Sequence, residues 1–165
     1  MAYKRDKQFG DKGEALMKEW LEKRELTERI EDVSDDPYYQ KKDIDFLVYQ
    51  KTGKTMKVDV KYDTLIDKTG NVFIELISND KKKTPGNFIY SKADLFLYVF
   101  AKSKRVLIIP LKEAREYIYK NLKKFKSVSV PNYDYNGKIL YHSKGRLVKY
   151  TELLENVDYT DLLPL

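Results

Sequence analysis

Between Thr55 and Asp63 the chain reads TMKVDVKYD, with Met56, Val58 and Val60 alternating with Lys57, Asp59 and Lys61. A period of two is the pattern of a half-buried strand, because successive side chains point to opposite faces. Just before it, DIDFLVYQ (43–50) gives a second strand signal, closed by the hairpin signal Lys51-Thr52-Gly53. A third, NVFIELI (71–77), is opened by Thr69-Gly70. Three strands joined by short turns predict an antiparallel meander.

The flanks add helices and two more strands. Leu16, Met17, Trp20 and Leu21 recur at helical spacing, and Asp11 with Glu14 fits a capping box, so a helix is predicted over 11–24. TERIEDVSDDPYYQKK reads as a polar connection with room for a short strand. After a basic loop, NDKKKTPGNF, the segment SKADLFLYVF predicts a helical turn at Ser91 and a strand to Phe100. A turn at 102–104 leads into the apolar strand RVLIIP. LKEAREYIYKNLKKF (111–125) then carries an amphipathic stripe. The tail reads as turns containing Tyr and Gly, with a short helix near 150–155. The order predicts a mixed α/β fold with a helix on each side of one sheet.

Composition bounds the function classes. At 165 residues the chain suits one domain, 42% of it hydrophobic and 13% aromatic, enough to bury a core. Cysteine is absent, which removes disulfide scaffolds, zinc knuckles and thiol nucleophiles. The one histidine, His142, reads as structural or exposed and removes His-rich metal sites. The longest apolar run, Leu95 to Ala101, is too short to span a bilayer, and MAYKRDKQFGDKGEA lacks a signal-peptide core. The expectation is a soluble protein of the cytoplasm with no membrane partner. A net charge of +6 draws polyanions, so nucleic acid is the first partner to consider; a Lys-rich solvated surface is the plainer reading.

The acids are placed informatively. Asp59, Lys61 and Asp63 share one face of their strand, and Asp43, Asp45 and Leu47 share one face of the other. The hairpin at Thr52-Gly53 brings Asp45 beside Asp59 and Lys61. Two carboxylates and one ammonium near a core are costly to hold unpaired, and a divalent metal neutralises them. The same acid-x-Lys spacing recurs at Asp80-Lys82, but in a loop.

An acid heading an apolar strand, a hairpin, then Asp59-Val60-Lys61 resembles the PD-(D/E)XK nuclease superfamily, with the leading proline missing. The helix carrying Glu14 resembles the first core helix of that fold. TGNVFIEL and NFIYSKADLFLYVF resemble small phage and bacterial members. The likeness covers about residues 9–110. It implies a restriction-endonuclease-like α-β-β-β-α-β core with a central mixed sheet flanked by helices. On this reading one nuclease-like domain fills 1–165, with a core over about 9–125 and a C-terminal extension from 126.

The resemblance implies metal-dependent hydrolysis of DNA phosphodiesters, with selectivity for branched DNA, in the manner of a junction resolvase, as one form of it. Asp45, Asp59 and the main-chain carbonyl of Val60 would hold Mg²⁺, with Mn²⁺ as substitute. Lys61 would orient the attacking water or offset phosphate charge. Glu14 has two readings, a ligand of a second metal or the partner of Asp11 in the capping box. Asp43 is the rival to Asp45, and Glu75 is either a third ligand or an exposed acid. Lys81, Lys82, Lys83 and Lys92 are candidate phosphate contacts, with a mobile solvated loop as the plainer reading of the first three. Tyr38, Tyr39, Tyr133 and Tyr135 are candidate base-stacking residues. A homodimer, which two-strand cleavage would require, has the 111–125 helix as candidate interface. The alternative is a non-catalytic nucleic-acid-binding protein on the same fold; a third reading is an interaction protein whose acids decorate a sheet edge.

Overall fold

Strand pairing decides this architecture, because ten strands divide between two sheets. The computed structural model describes residues 2–165, with side chains from Gly10 onward. Helix α1 (Ala2–Glu22) is followed by β1 (Thr27–Asp32), α2 (Pro37–Gln40), β2 (Phe46–Gln50) and β3 (Thr55–Asp63). Next come α3 (Ile66–Thr69), β4 (Asn71–Asn79), β5 (Thr84–Pro85) and α4 (Asn87–Tyr90). The chain ends with β6 (Leu95–Phe100), β7 (Arg105–Pro110), α5 (Leu111–Lys120), β8 (Lys126–Tyr133), β9 (Ile139–Lys149), α6 (Tyr150–Asn156) and β10 (Asp161–Pro164).

The first sheet runs β1-β2-β3-β6-β7-β10 and is mixed: β3 pairs parallel with β6, and every other pair is antiparallel. The second, β5-β4-β9-β8, is wholly antiparallel. The protein is thus a mixed α/β fold in which helices flank a central mixed sheet. One face of that sheet buries Phe46, Val48, Val58, Leu97 and Val99 under Met17 and Leu21 of α1. The other buries Leu47, Phe96, Tyr98 and Phe100 against Val72, Ile74 and Val148 of the second sheet and against α4, α5 and α6. Strand β6 sits between these two layers, which is why LFLYVF is apolar without alternation. Among the described residues no helix is long and apolar enough to cross a membrane.

Several expectations are corrected. The helix begins at Ala2, not at 11, so Asp11 and Glu14 lie inside it and form no capping box. The antiparallel meander is β1-β2-β3; the 71–77 strand leaves it for the second sheet, because a strand's own pattern does not encode its neighbour. There are two sheets in place of the predicted one. Strand β2 starts at Phe46, which leaves Asp43 and Asp45 ahead of it. The helical turn falls on Asn87–Tyr90 and precedes Ser91. The 111–125 helix stops at Lys120, with a short 3-10 turn at Leu122–Lys124. The tail is a long hairpin, β8 with β9, in place of turns alone.

Candidate active site

The site forms where β2 stops pairing with β3. Phe46 opposite Val58 is the last register pair of the two strands. Alternate residues of an extended strand turn their N–H and C=O to the same side, so Val58 and Val60 both face β2. Asp45 N donates to Val58 O at 2.8 Å, whereas at Val60 no β2 backbone remains. The Asp45 carboxylate takes that place: its Oδ2 accepts from Val60 N at 2.7 Å. The Val60 carbonyl lies on the same strand edge.

Asp59 and Lys61 point to the opposite face of β3, each beside an aromatic residue of β6, Phe96 and Tyr98. Asp59 is 2% exposed. Its Oδ1 accepts from Lys61 Nζ at 2.9 Å, while Oδ2 stands 2.7 Å from the same nitrogen without hydrogen-bond alignment. Oδ2 accepts no hydrogen bond from any described donor. The Asp45 and Asp59 carboxyls are neighbours at this end of β3, each acting on the other's protonation. Asp43, at φ +56°, reaches Lys61 Nζ from the other side at 3.2 Å. Its carbonyl accepts from Ser91 Oγ at 3.3 Å, which ties this left-handed residue to the segment after α4.

Charge follows from that packing. Burial, with the charges of Asp43 and Asp45, pushes the Asp59 carboxyl well above the usual carboxylate range, although Lys61 opposes the shift. Burial likewise raises Asp45, against the Val60 N–H and the Lys61 charge. Burial alone would lower Lys61, but Asp59 and Asp43 outweigh it and keep the side chain an ammonium. Burial thus favours protons on Asp45 and Asp59, and a divalent cation that displaced them would supply the positive charge both carboxylates need.

Glu14 approaches from α1. Burial and the charge of Asp45 raise its carboxyl, with Ser34 pulling it back in part. Its helix-interior position removes the cap reading and leaves it near Asp45. Gly13 makes that approach possible: a Cβ there would lie 2.8 Å from Tyr62 Cβ on β3. Gly13→Ala is therefore expected to push α1 off the sheet and lower the melting temperature by several degrees, the equivalent of about 1–3 kcal/mol of overpacking. A thermal melt indistinguishable from wild type would show that the contact yields freely.

Glu75 stands across a cleft of about 480 Å³ that it lines together with Gly10, Lys61, Phe73, Asn87 and Tyr98. Its Oε2 accepts from Asn87 N at 3.2 Å, so the start of α4 already holds it. Gly86 permits this approach, since a Cβ there would meet Glu75 O at 2.3 Å. Among the described residues no three acidic or histidine side chains form a ready metal cage. What the structure brings together is the pair Asp45 and Asp59, the Val60 edge and Lys61, with Asp43 as a partner of the lysine.

Lys81, Lys82 and Lys83 are exposed, in a turn closed by Asn79 Oδ1, which accepts from the N–H groups of Lys81 and Lys82. Lys92 is exposed in the segment after α4, its N–H held by Lys42 O at 2.8 Å. Neither falls among the residues lining the cleft. Sequence reasoning missed Tyr90, whose phenol is pushed up to about 12 by burial and by Asp43. It also missed Arg115, which donates to Phe88 O at 2.7 Å and Ser91 O at 2.8 Å and so fixes α4. Their roles depend on contacts between distant segments, and no local pattern marks them. No protein-family model matches the chain, and no curated protein or solved structure is detectably similar to it.

Proposed function

We propose that the protein is a metal-dependent deoxyribonuclease of the PD-(D/E)XK kind, acting in the cytoplasm. One observation carries the reading: Asp45 caps the free edge of β3 at Val60 beside the buried Asp59, whose Oδ2 takes no hydrogen bond, with Lys61 alongside. The element order supports it too, since α1, the antiparallel β1-β2-β3, α4 and then β6 parallel to β3 follow the core order that the resemblance implies.

The residues fit a hard cation. Two neighbouring carboxylates, one of them the buried Asp59 with an unpartnered Oδ2, plus a carbonyl, match the few protein ligands that Mg²⁺ accepts while keeping water. Asp45, Asp59 and the Val60 carbonyl would hold it, and Mn²⁺ would replace it; Glu14, whose carboxyl feels the charge of Asp45, is the candidate for a further ligand, directly or through water. The bound ion supplies a Lewis acid for the phosphate and a water of lowered pKa. Lys61, kept protonated by its two carboxylates, offsets charge developing on the phosphate and does not act as a base. Asp43 holds that ammonium together with Asp59 at the edge of the cleft that Lys61 lines.

The test is cleavage of supercoiled plasmid, single-stranded DNA and a four-way junction with Mg²⁺, Mn²⁺ or EDTA, using wild type, Asp59→Ala and Lys61→Ala. Cleavage that needs the metal and disappears in both variants is expected, with the preferred substrate separating a resolvase from a general nuclease. Sedimentation of the same samples would report a homodimer. Absence of cleavage, with both variants binding DNA as wild type does, would leave the non-catalytic binding protein.

A further inference from the structure

We infer that the β8–β9 hairpin is a nucleic-acid arm whose tip stacks on unpaired bases, so that the substrate is DNA with a branch or single-stranded segment near the cut. The inference rests on the nuclease reading for its substrate and on separate residues for its evidence. Exposed large apolar side chains concentrate at this tip: Tyr133, Tyr135, Ile139 and Leu140, with Tyr135 90% exposed. Tyr133, Ile139 and Leu140 at the strand ends and Tyr135 in the turn between them face solvent, and aromatic faces stack on bases of any sequence.

Charge indicates which partner the arm takes. The acids near it, Asp134 and Asp80, are both occupied internally. Asp134 Oδ1 accepts from the N–H groups of Asn136 and Lys138 at 2.8 and 2.9 Å. Asp80 Oδ1 accepts from His142 N at 2.9 Å, and its Oδ2 pairs with Lys144 at 3.2 Å. Asp80 also fastens the turn of Lys81, Lys82 and Lys83 to β9, so these lysines are held beside the arm. The resulting surface is basic with an aromatic end. It suits a polyanion whose bases are accessible and repels a second copy of itself.

The arm is also continuous with the site. Gly145 of β9 pairs with Glu75, which lines the cleft beside Lys61. From Gly145 the strand runs outward to Ile139, the last residue paired with β8. Six strand residues span roughly 20 Å, about six nucleotide steps. The tip would therefore meet unpaired bases about that far from the scissile phosphate.

The test measures binding by fluorescence anisotropy in EDTA, to a four-way junction, a single strand and a fully paired duplex. Tyr133→Ala/Tyr135→Ala is expected to lose about tenfold or more on the junction and the single strand and to leave the duplex within twofold; Tyr133→Phe/Tyr135→Phe restores binding. Charge reversal of Lys81, Lys82 and Lys83 weakens all three substrates and flattens the salt dependence. Equal losses on every substrate, or none, would overturn the stacking role. Conversion of a dimer to monomers by the tyrosine variant, without selective loss of binding, would assign the arm to self-association instead. Mg²⁺-dependent cleavage by the same preparations keeps the two readings apart. A wild type that cleaves while the tyrosine variant binds normally defeats the arm alone, and selective loss of binding in a protein that never cleaves defeats the nuclease alone.

Discussion

Lys61→Met is expected to destabilise the metal-free protein by about 3–5 kcal/mol, the range found when one partner of a buried ion pair is removed. For a chain of this size that lowers the melting temperature by about 10 °C. The reason is local. The ammonium lies 2.7 Å from Asp59 and 3.2 Å from Asp43, and without it a carboxylate that is 2% exposed keeps no cation. On the proposed function Mg²⁺ should restore part of the loss, because it would supply the missing positive charge to Asp45 and Asp59. The double variant Asp59→Asn/Lys61→Met should be more stable than Lys61→Met alone, since it removes the orphaned charge as well. Melts in EDTA and in Mg²⁺ would check this; a shift within about 2 °C for Lys61→Met in EDTA would mean that the cluster contributes little to folding.

Asp45→Asn should show the opposite sign in stability and, on the proposed function, loss of cleavage. Burial raises the Asp45 carboxyl above its ordinary value, so the folded state binds that proton more tightly than the unfolded chain does. The group's contribution therefore improves as pH falls through the raised folded value and is adverse at neutral pH, where the carboxylate must be ionised. An asparagine is neutral, and its Oδ1 can still accept from Val60 N. In EDTA at neutral pH the variant should gain about 1 kcal/mol, or about 2–4 °C, the pattern of a site that trades stability for function. The gain should shrink as pH is lowered. Mg²⁺-dependent cleavage should fall by more than the roughly 10- to 100-fold that loss of an outer hydrogen-bond partner of a metal ligand costs. A variant that is less stable than wild type at neutral pH, yet cleaves normally, would remove Asp45 from the metal site. If wild type cleaves as proposed, cleavage should weaken as pH falls through the raised carboxyl values, because protons would compete with the metal.

The strand carrying the candidate site was legible because its two faces differ. Met56, Val58 and Val60 against Lys57, Asp59 and Lys61 gave both its bounds, 55–63, and the side on which the acid and the lysine lie. The turn before it was equally clear, with Gly53 at φ +82°. The hairpin of the tail was missed even though Asn136-Gly137 is a strong turn signal, because the alternation in KSVSVPNY runs only over Ser127–Val130 before Pro131 interrupts it. Strand β1 was weak for the same reason, with Ile30 its one apolar residue.

By itself the sequence determined what is written in neighbouring residues: the β2–β3 hairpin, the shared face of Asp59 and Lys61, the proximity of Asp45, and a helix bearing Glu14. Tertiary structure alone decided that β3 takes β6 as its parallel neighbour, that β4 leaves for a second sheet, and that Asp43 turns left-handed to reach Lys61. Periodicity reports which face of an element is buried, since that depends on each side chain's contact with water. It carries no label for the element that does the burying, because hydrophobic contact is non-directional and the choice among partners is made by the packing of the whole core.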